Sequence, residues 1–511
     1  MAWRRWLRSE TRVLFVLTLI VGGLSGLAAV AFHRSIDIIN DRVLVPLLAL
    51  PVLERFGLTA ILLVLTGLLV GLALEYVVPF ARGSGIPEVK TAYLFAPGPQ
   101  LSAATVAGKF LLSAISIGSG FSLGREGPTV QICAGIGAAV GRLTRRPTRV
   151  LKSLISVGAA AGIAAAFNTP LAAITFVLEE IVGDLNQRLV GAIVVATVAA
   201  AVIEHAILGG APVFAVPPYA LIRWWELIAY AGLGVISGIA ATVFVNGLLG
   251  ARQMLRQWRG VPGWVKPAIG GLLVAIVGIA TPEVFGIGYA TLSRGLLGNL
   301  TFRRMASLSV LKLAATVVSY SFGLSGGIFA PALFVGGMLG GAVGHLVQRF
   351  VTENPHTVGS FALVGMGAFF VGAIRAPITS ILIIFEMTGD YAIILPLMIS
   401  NMLSYTIAVK LQKLPIYDAL LQQDGFPIEE HRRGTDLRHL TVEQVMSRNV
   451  APDRPLGAVW VFSDQTLDLA LLTLGRHGLN EVPVVHRAAP ERLVGSLSLQ
   501  DISAGLKRFS T

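Results

Sequence analysis

The stretch Gly124-Arg125-Glu126-Gly127-Pro128 places a carboxylate inside a long apolar part of the chain. A charged side chain at the centre of a bilayer costs about 2.5–3.5 kcal/mol on insertion scales, so an acid in such a place predicts a functional site. The glycines and Pro128 predict a broken helix whose new N-terminus lies near Pro128, because proline suits the first helical turn. Free N–H groups and a partial positive charge at a helix N-terminus favour anions. The stretch therefore predicts an anion site together with an acid, Glu126, that competes for it.

The composition around this stretch is that of a multi-pass integral membrane protein. The chain has 511 residues, of which 54% are hydrophobic and 13% are charged, whereas a soluble domain carries about 25% charged residues. Runs without a charged residue are found at 13–32, 57–74, 227–250, 313–344 and 391–409. Each run is near or above the ~18 residues that identify a candidate span. The lipid bilayer is thus a predicted partner of the chain.

The net charge of +12 is interpreted as a sign of membrane topology. Lys and Arg collect in loops on the cytoplasmic side of a membrane, so no nucleic-acid partner is predicted. Basic residues before the first span place the N-terminus in the cytoplasm; they are Arg4, Arg5, Arg8 and Arg12. Cys133 is the only cysteine, which excludes an intrachain disulfide and argues against a cysteine-based metal site. No metal site is predicted.

The order of motifs in the first half recurs in the second half. Lys312 lies 203 positions after Lys109 (312 − 109), and Glu386 follows Glu179 at an offset that has grown to 207. Paired, interrupted helices at matching places point to a transporter whose substrate site lies where the two halves meet. The repeat alone leaves the relative orientation of the halves open. Repeat one is predicted at about 13–206, repeat two at about 225–410, and a final helix at about 413–423.

The last part of the chain changes character. Residues 426–440 read as a polar linker, and residues 441–511 read as a small soluble α/β domain. Period-two patterns predict strands, and helical patterns predict helices. The strands are expected at Glu481–Val485 and Leu493–Leu499, and the helices at Gln465–His477 and Asp501–Phe509.

Three loops and one tyrosine resemble the signature of the CLC chloride channel/transporter family. The loops are 83–87, 124–128 and 327–331, and the tyrosine is Tyr417 in Leu414-Pro415-Ile416-Tyr417. The resemblance covers about residues 10–425 and implies a transmembrane domain at 1–425. The fold it implies is an all-α polytopic membrane protein with two inverted-topology repeats of broken helices, assembled as a homodimer. It further implies chloride and protons as the transported ions, no cofactor, and a bacterial inner membrane location with both termini in the cytoplasm.

The resemblance also implies three chloride sites. The Ser84 and Tyr417 hydroxyls would hold the central ion, together with the backbone N–H groups of Ile328 and Phe329. The outer site would use N–H groups around Arg125, Gly127 and Ala330, and the inner site those of Gly83 and Ser84. Ser84 resembles the serine of chloride-selecting members. Other interpretations are a helix N-cap for Ser84, an interfacial aromatic for Tyr417, and core packing for Ile328 and Phe329.

Two acids resemble the family's proton-transfer residues. Glu126 resembles the gating glutamate, and Glu180 resembles the inner proton glutamate of the exchangers. The alternatives are a permanent pair of Glu126 with Arg125 and a surface acid at the end of a span for Glu180. Glu179 matches Glu386 in the repeat, which favours a structural role for Glu179.

The presence of both acids favours Cl⁻/H⁺ antiport over a passive chloride channel gated by Glu126. An intramembrane enzyme is not expected, because no Ser/His, paired-Asp or metal-ligand arrangement recurs in the spans.

Residues 441–511 resemble a single CBS motif, a kind of module that works in pairs and often binds adenine nucleotides. Ser498 and Asp501 occupy the places that would meet a ribose. The competing interpretation is a cytoplasmic dimerisation domain, in which the motif pairs with that of a second subunit.

Overall fold

Helices broken by short glycine and proline loops make up the chain as far as Leu420. The computed structural model describes residues 10–183, 187–210, 212–214, 216, 224–351, 354, 356–428, 437, 440–448 and 459–509. Arg4, Arg5 and Arg8, which predict the side of the N-terminus, lie outside these residues, as does most of the predicted linker. Backbone contacts divide the chain into two units, Met1–Leu420 and Leu421–Thr511.

The first unit contains the two predicted halves. Helices of the first half are α1 (Glu10–Ile39), α2 (Val45–Leu48), α3 (Val52–Tyr76), α4 (Ile86–Leu94), α5 (Ala103–Gly118), α6 (Glu126–Leu143), α7 (Thr148–Phe167), α8 (Pro170–Phe176) and α9 (Gln187–Leu208). Those of the second half are α10 (Glu226–Gln257), α11 (Lys266–Gly278), α12 (Tyr289–Leu296), α13 (Phe302–Ser321), α14 (Phe329–Phe350), α15 (Thr357–Ile374), α16 (Pro377–Thr388) and α17 (Ile394–Leu411). The predicted final helix is α18 (Ile416–Gln423). Two π-helical turns, Asn40–Leu44 and Val177–Val182, continue α1 and α8.

Eight helices among the described residues are long and apolar enough to cross a membrane. Large apolar side chains such as Leu65 and Val243 are each 59% exposed in the chain. Such exposure is costly in water and ordinary against lipid, where a hydrophobic surface meets hydrocarbon. Helix α15 differs, because every residue of its apolar window is buried inside the protein. The first unit is therefore an all-α polytopic membrane domain with a fully buried helix.

Three short-loop helices begin inside the protein rather than at its surface. Helix α4 follows Gly85, whose φ of +102° is the left-handed conformation that glycine adopts without strain. Helix α6 starts at Glu126, two residues before the predicted start, and α14 starts at Phe329. Each carries a proline in its first turn, where the missing N–H is not needed. The free N–H groups of these helix starts thus lie in the protein interior.

Two buried lysines show the repeat in three dimensions. The Lys109 ammonium donates to the carbonyl oxygens of Ala81 (3.2 Å) and Gly83 (2.6 Å). The Lys312 ammonium donates to the carbonyl oxygens that lie 203 positions later, those of Val284 (2.9 Å) and Gly286 (2.6 Å). Both lysines are 0% exposed, so each is satisfied by the carbonyl groups ahead of a glycine loop. The offset found in the sequence is therefore an equivalence of contacts.

The two halves also hold each other by reciprocal contacts. The Glu179 carboxylate accepts hydrogen bonds from the N–H groups of Ile378 (3.1 Å) and Thr379 (2.9 Å) at the start of α16. The Glu386 carboxylate accepts them from Leu171 (3.0 Å) and Ala172 (2.7 Å) at the start of α8. Exchange of equivalent contacts is the property of a two-fold relation between the halves. The structural role predicted for Glu179 is confirmed, and the fold is that of two inverted repeats.

The second unit carries a small sheet and short helices. Strands β1 (Val461–Phe462), β2 (Glu481–His486) and β3 (Ala489–Ser498) form a sheet in the order β1-β2-β3, with β1 parallel and β3 antiparallel to β2. The helices are α19 (Val442–Val445), α20 (Leu467–His477) and α21 (Leu499–Phe509). Val482 and Val484 of β2 are 0% exposed, and at the register shift after Val484 the next residue, Val485, is buried as well. The α/β character predicted for this region is confirmed.

Candidate ion-binding site

The glycine loops ahead of α4, α6 and α14 meet at one place in the first unit. Gly83 donates its N–H to the Leu324 carbonyl (3.0 Å), and its own carbonyl accepts from Gly326 (3.0 Å). Gly124 and Gly327 exchange two hydrogen bonds of 2.7 Å each. One loop of the second half therefore pairs with two loops of the first half. The predicted meeting of the interrupted helices is confirmed.

The start of α6 lies directly against the Ser84 loop. A Cβ atom at Gly127 would lie 2.4 Å from the Ser84 hydroxyl and 2.5 Å from the Ser84 carbonyl oxygen. Both distances are shorter than any ordinary contact of a methyl group, so only glycine permits this approach. The backbone N–H groups at the start of α6 are thereby brought beside Ser84.

The Glu126 carboxylate is bound by two donors from the second half. Glu126 is 0% exposed. Its Oε2 accepts a hydrogen bond from the N–H of Ala330 (3.2 Å) at the start of α14, and its Oε1 accepts one from the Tyr289 hydroxyl (2.8 Å). These bonds replace the permanent pairing with Arg125 that the sequence left open. The carboxylate thus accepts a hydrogen bond from an N–H group that was predicted to serve the outer anion site.

Two hydroxyls face each other in the protein interior. Ser84 and Tyr417 are both 0% exposed, and neither hydroxyl makes a hydrogen bond to any part of the chain that the structure describes. The two hydroxyls lie near each other, beyond ordinary hydrogen-bond geometry. A buried polar group without a partner costs about 1–3 kcal/mol. The two hydroxyls therefore favour binding of a polar ligand between them.

The same geometry decides between the interpretations of these two residues. The N-cap of α4 is Gly85 and no side chain caps that helix, so the N-cap interpretation of Ser84 is wrong. Tyr417 is buried on all sides rather than placed at a membrane surface, so the interfacial interpretation is also wrong.

Phe329 and Ile328 contribute both packing and backbone. The Phe329 ring lies 5.0 Å from that of Phe167, 5.7 Å from that of Phe176 and 4.5 Å from that of Phe370, measured between centroids. Core packing, which the sequence suggested, is therefore correct for the side chain. The N–H groups at the start of α14 have no partner within the helix; that of Ala330 donates to Glu126, and those of Ile328 and Phe329 are the ones proposed to serve the central anion.

Glu180 belongs to a buried cluster of three charges. The Lys90 ammonium lies 2.8 Å from Glu180 Oε1 and 2.5 Å from Asp418 Oδ1. The exposed fractions of the three side chains are 12% for Lys90, 4% for Glu180 and 2% for Asp418. The interpretation of Glu180 as a surface acid is wrong. Lys90 lies on α4, which starts at the Ser84 loop, and Asp418 follows Tyr417 on α18. The cluster therefore connects the helix after Ser84 with the helix that carries Tyr417.

Comparison with known proteins identifies the family of the chain. The family model described as voltage gated chloride channel matches residues 66–409. The chain belongs to this family. A relative in Ralstonia nicotianae named chloride channel protein ClcB-like is 35% identical over 346 residues, which cover 67% of this chain and 80% of that protein. The H(+)/Cl(-) exchange transporter ClcA of Salmonella arizonae is 32% identical over 430 residues, covering 82% of this chain and 90% of the relative.

A solved structure shares the chloride-channel family fold. The crystal structure of a slow cyanobacterial Cl-/H+ antiporter aligns with a TM-score of 0.74 at 24% sequence identity. It covers 80% of this chain and 97% of the other. At this level of identity the likeness shows the fold, and the fold is the one that the three loops and Tyr417 imply.

Three residues that contact Glu126 or belong to the charge cluster of Glu180 were not found from the sequence: Tyr289, Lys90 and Asp418. A sequence signal existed for the last two. Charged side chains are almost never buried without a partner; Lys90 follows the 83–87 loop by three residues, and Asp418 directly follows Tyr417. Tyr289 follows Gly286-Ile287-Gly288, the counterpart of the Ser84 loop, so the repeat itself would have pointed to it.

Ser498 and Asp501 cap helix α21 in the second unit. The Asp501 carboxylate accepts from the Ser498 hydroxyl (2.6 Å) and the Ser498 N–H (2.8 Å), and the Ser498 hydroxyl accepts from the Asp501 N–H (3.1 Å). This is a reciprocal helix cap of the kind that stabilises a helix start. The capping accounts for both residues without a nucleotide, and nucleotide binding stays a prediction.

Proposed function

We propose that the protein exchanges chloride for protons across the membrane. The observation that carries this proposal is the position of the Glu126 carboxylate on the N–H of Ala330. An anionic side chain that takes an anion's hydrogen-bond donor competes with chloride for the site, and protonation weakens its hold on that donor. Proton uptake and chloride entry are then linked at one place. The exchange activity named for the Salmonella relative supports the same proposal.

The chloride pathway in this proposal follows the two buried hydroxyls. The central ion lies between Ser84 and Tyr417 and accepts hydrogen bonds from the backbone N–H groups of Ile328 and Phe329. N–H groups suit this task because they bind an anion without the strong hold of a fixed cation, so the ion can leave again. The outer site uses N–H groups at Arg125, Gly127 and Ala330, and the inner site uses those of Gly83 and Ser84.

Glu180 is the inner proton residue in this proposal. Its carboxylate is buried and shares Lys90 with Asp418, so its charge is stabilised until a proton arrives. A buried acid with a charged partner is the usual arrangement of an intramembrane proton relay. The main alternative is a passive chloride channel in which Glu126 gates the pathway, and it requires no role for Glu180.

The assembly and location are proposed on the same resemblance. Two copies form a homodimer in a bacterial inner membrane, with both termini in the cytoplasm. The transmembrane domain reaches to about residue 425, and residues 441–511 form a separate domain that pairs with its counterpart in the second copy. Adenine nucleotide binding at Ser498 and Asp501 is tested by titrating ATP into the full-length protein, where heat of binding supports it.

Flux measurements in proteoliposomes test the exchange. A chloride gradient should drive protons uphill, and chloride flow without proton movement would favour the channel. Glu126→Gln should leave chloride flux and abolish proton coupling, while Glu180→Gln should stop protons and spare chloride. Glu226 is a matched control, because it is a buried acid (5% exposed) at the start of α10. Glu226→Gln should leave both fluxes as in the unmodified protein.

Halide binding gives a second test. Bromide soaked into crystals should give anomalous density between the Ser84 and Tyr417 hydroxyls. Density elsewhere in the protein, with none at this place, would contradict the central site.

A further inference from the structure

Tyr289 stands between an open cavity and the Glu126 carboxylate. The Tyr289 hydroxyl donates to Glu126 Oε1 at 2.8 Å. Tyr289 also lines a cavity of about 600 Å³, to which Arg125, Asp37 and Glu283 contribute. Glu126 itself is 0% exposed. Tyr289 therefore lines the cavity and donates a hydrogen bond to the carboxylate.

The direction of the Tyr289 hydroxyl is fixed by packing on its ring. The Arg125 guanidinium lies over the ring, 5.6 Å from its centroid. The Phe214 ring packs edge-on against it at 5.6 Å between centroids. A cation on the face and an aromatic edge are both favourable contacts for a tyrosine ring. The ring is thus held so that its hydroxyl points at Glu126.

The internal repeat shows that the fold does not need this hydroxyl. Tyr289 begins α12, and its counterpart 203 positions earlier is Ile86, which begins α4. Both follow a glycine with positive φ, +87° at Gly288 and +102° at Gly85. Ile86 is fully buried and has no polar atom in its side chain. The same backbone turn therefore forms with an apolar side chain, and the hydroxyl is an addition of the second half.

We infer that Tyr289 is a positioning residue that holds ionised Glu126 in the outer anion site. This inference rests on the proposed role of Glu126 as the gating acid. A hydrogen bond to a charged carboxylate is stronger than one to its neutral form. The bond is made in the blocking position and is lost when Glu126 swings away, so it stabilises the blocked state selectively. Tyr289 thereby sets the proton concentration at which Glu126 leaves the pathway.

Other titratable and charged groups surround this contact and contribute to any pH dependence. Those that interact with Glu126 directly are Arg125, Tyr289 and Tyr417. Those that interact with it through Arg125 are His33, Asp37 and Glu204. A substitution that removes only the Tyr289 hydroxyl leaves all of these groups in place.

Tyr289→Phe is the test, because it keeps the ring and its contacts. The blocked state should lose roughly a factor of ten in stability relative to the open state, equivalent to ~1.4 kcal/mol. In proteoliposomes, half-maximal exchange should then move about one pH unit towards alkaline, since less proton is needed for release. Tyr230→Phe is the matched control, because Tyr230 is also buried and donates to the Ser360 hydroxyl at the same 2.8 Å. It should leave the pH profile unchanged.

The Glu126→Gln background separates the possible causes. There the carboxylate is absent, so adding Tyr289→Phe should change chloride flux very little. An unchanged pH profile for Tyr289→Phe alone, or an equal effect in the Glu126→Gln background, would overturn the inference and leave the gating role of Glu126 standing. Proton coupling that survives Glu126→Gln would overturn the gating role, and the inference with it.

Discussion

Replacing Lys90 by methionine removes the cation that two buried carboxylates share. Lys90 lies 2.8 Å from Glu180 and 2.5 Å from Asp418. Methionine has a similar length and no charge, so the packing changes little while the charge balance changes completely. Glu180 and Asp418, at most 4% exposed, then lose the cation that they share in a region that water barely reaches.

The size of the effect follows from the protons that the variant must bind. An ordinary Glu has a pKa of about 4.3, so keeping one protonated at pH 7 costs ~3.7 kcal/mol at 1.36 kcal/mol per unit. Breaking a buried ion pair by removing one partner costs about 3–5 kcal/mol, and the two figures agree. We expect Lys90→Met to lower the free energy of unfolding by about 4 kcal/mol at pH 7.

The sign of the pH dependence distinguishes this cause from a packing defect. The folded variant binds more protons than its unfolded chain, so its stability falls as pH rises. The gap between the variant and the unmodified protein should therefore narrow by ~1.4 kcal/mol per pH unit and per proton between pH 7 and pH 5. Thermal unfolding in detergent, followed by tryptophan fluorescence at several pH values, measures this gap. Proton transport should also slow, because Glu180 stays protonated.

Two comparisons make the result decisive. The double variant Lys90→Met/Asp418→Asn should recover part of the lost stability, because one acid fewer needs a proton. Lys152→Met is the control, since Lys152 donates to the Leu94 carbonyl at 3.2 Å, at the end of the helix that carries Lys90. A stability gap for Lys90→Met that is small, or that does not depend on pH, would refute the reasoning.

Three further substitutions test the contacts that bring the halves together. Gly127→Ala should separate α6 from the Ser84 loop and slow chloride exchange at least tenfold, because its Cβ would lie 2.5 Å from the Ser84 carbonyl oxygen. Gly232→Ala in α10, where a Cβ meets nothing within 4 Å, is the flux control, and equal rates for the two would contradict the claim. Glu179→Ala and Glu386→Ala should each lower the free energy of unfolding by about 1.5–3 kcal/mol, since each removes a charged acceptor of two backbone N–H hydrogen bonds. Unfolding curves check this, and an effect at only one of the two sites would argue against their equivalence.

Much of the architecture could be predicted from the positions of glycine and proline in the sequence. Glycine and proline at matching offsets predicted interrupted helices, and the shared Lys109 and Lys312 predicted that the interruptions were related. The start of α6 was placed two residues late, because Glu126 occupies the first turn ahead of Pro128. Helix ends depend on local geometry that residue types alone do not fix.

The partners of the charged residues did not follow from the sequence. Tyr289 lies 163 residues from Glu126 along the chain, and no local pattern connects them. The sequence around Glu180 is typical of the end of a span, and only the fold shows that Glu180 forms an ion pair with Lys90. A single sequence identifies which side chains are costly to bury, but the tertiary structure decides which group compensates each one.

The reciprocal capping of α8 and α16 has a consequence for how the chain is made. The N–H group of Leu171 is capped by a carboxylate that lies 215 residues later in the sequence. At about 5–20 residues per second, the ribosome delivers that carboxylate roughly 10–40 s after Leu171 is synthesised. During this interval the first half stands in the bilayer with a helix start uncovered, and an uncovered backbone group is costly in lipid. Translation and insertion of the second half therefore complete the first.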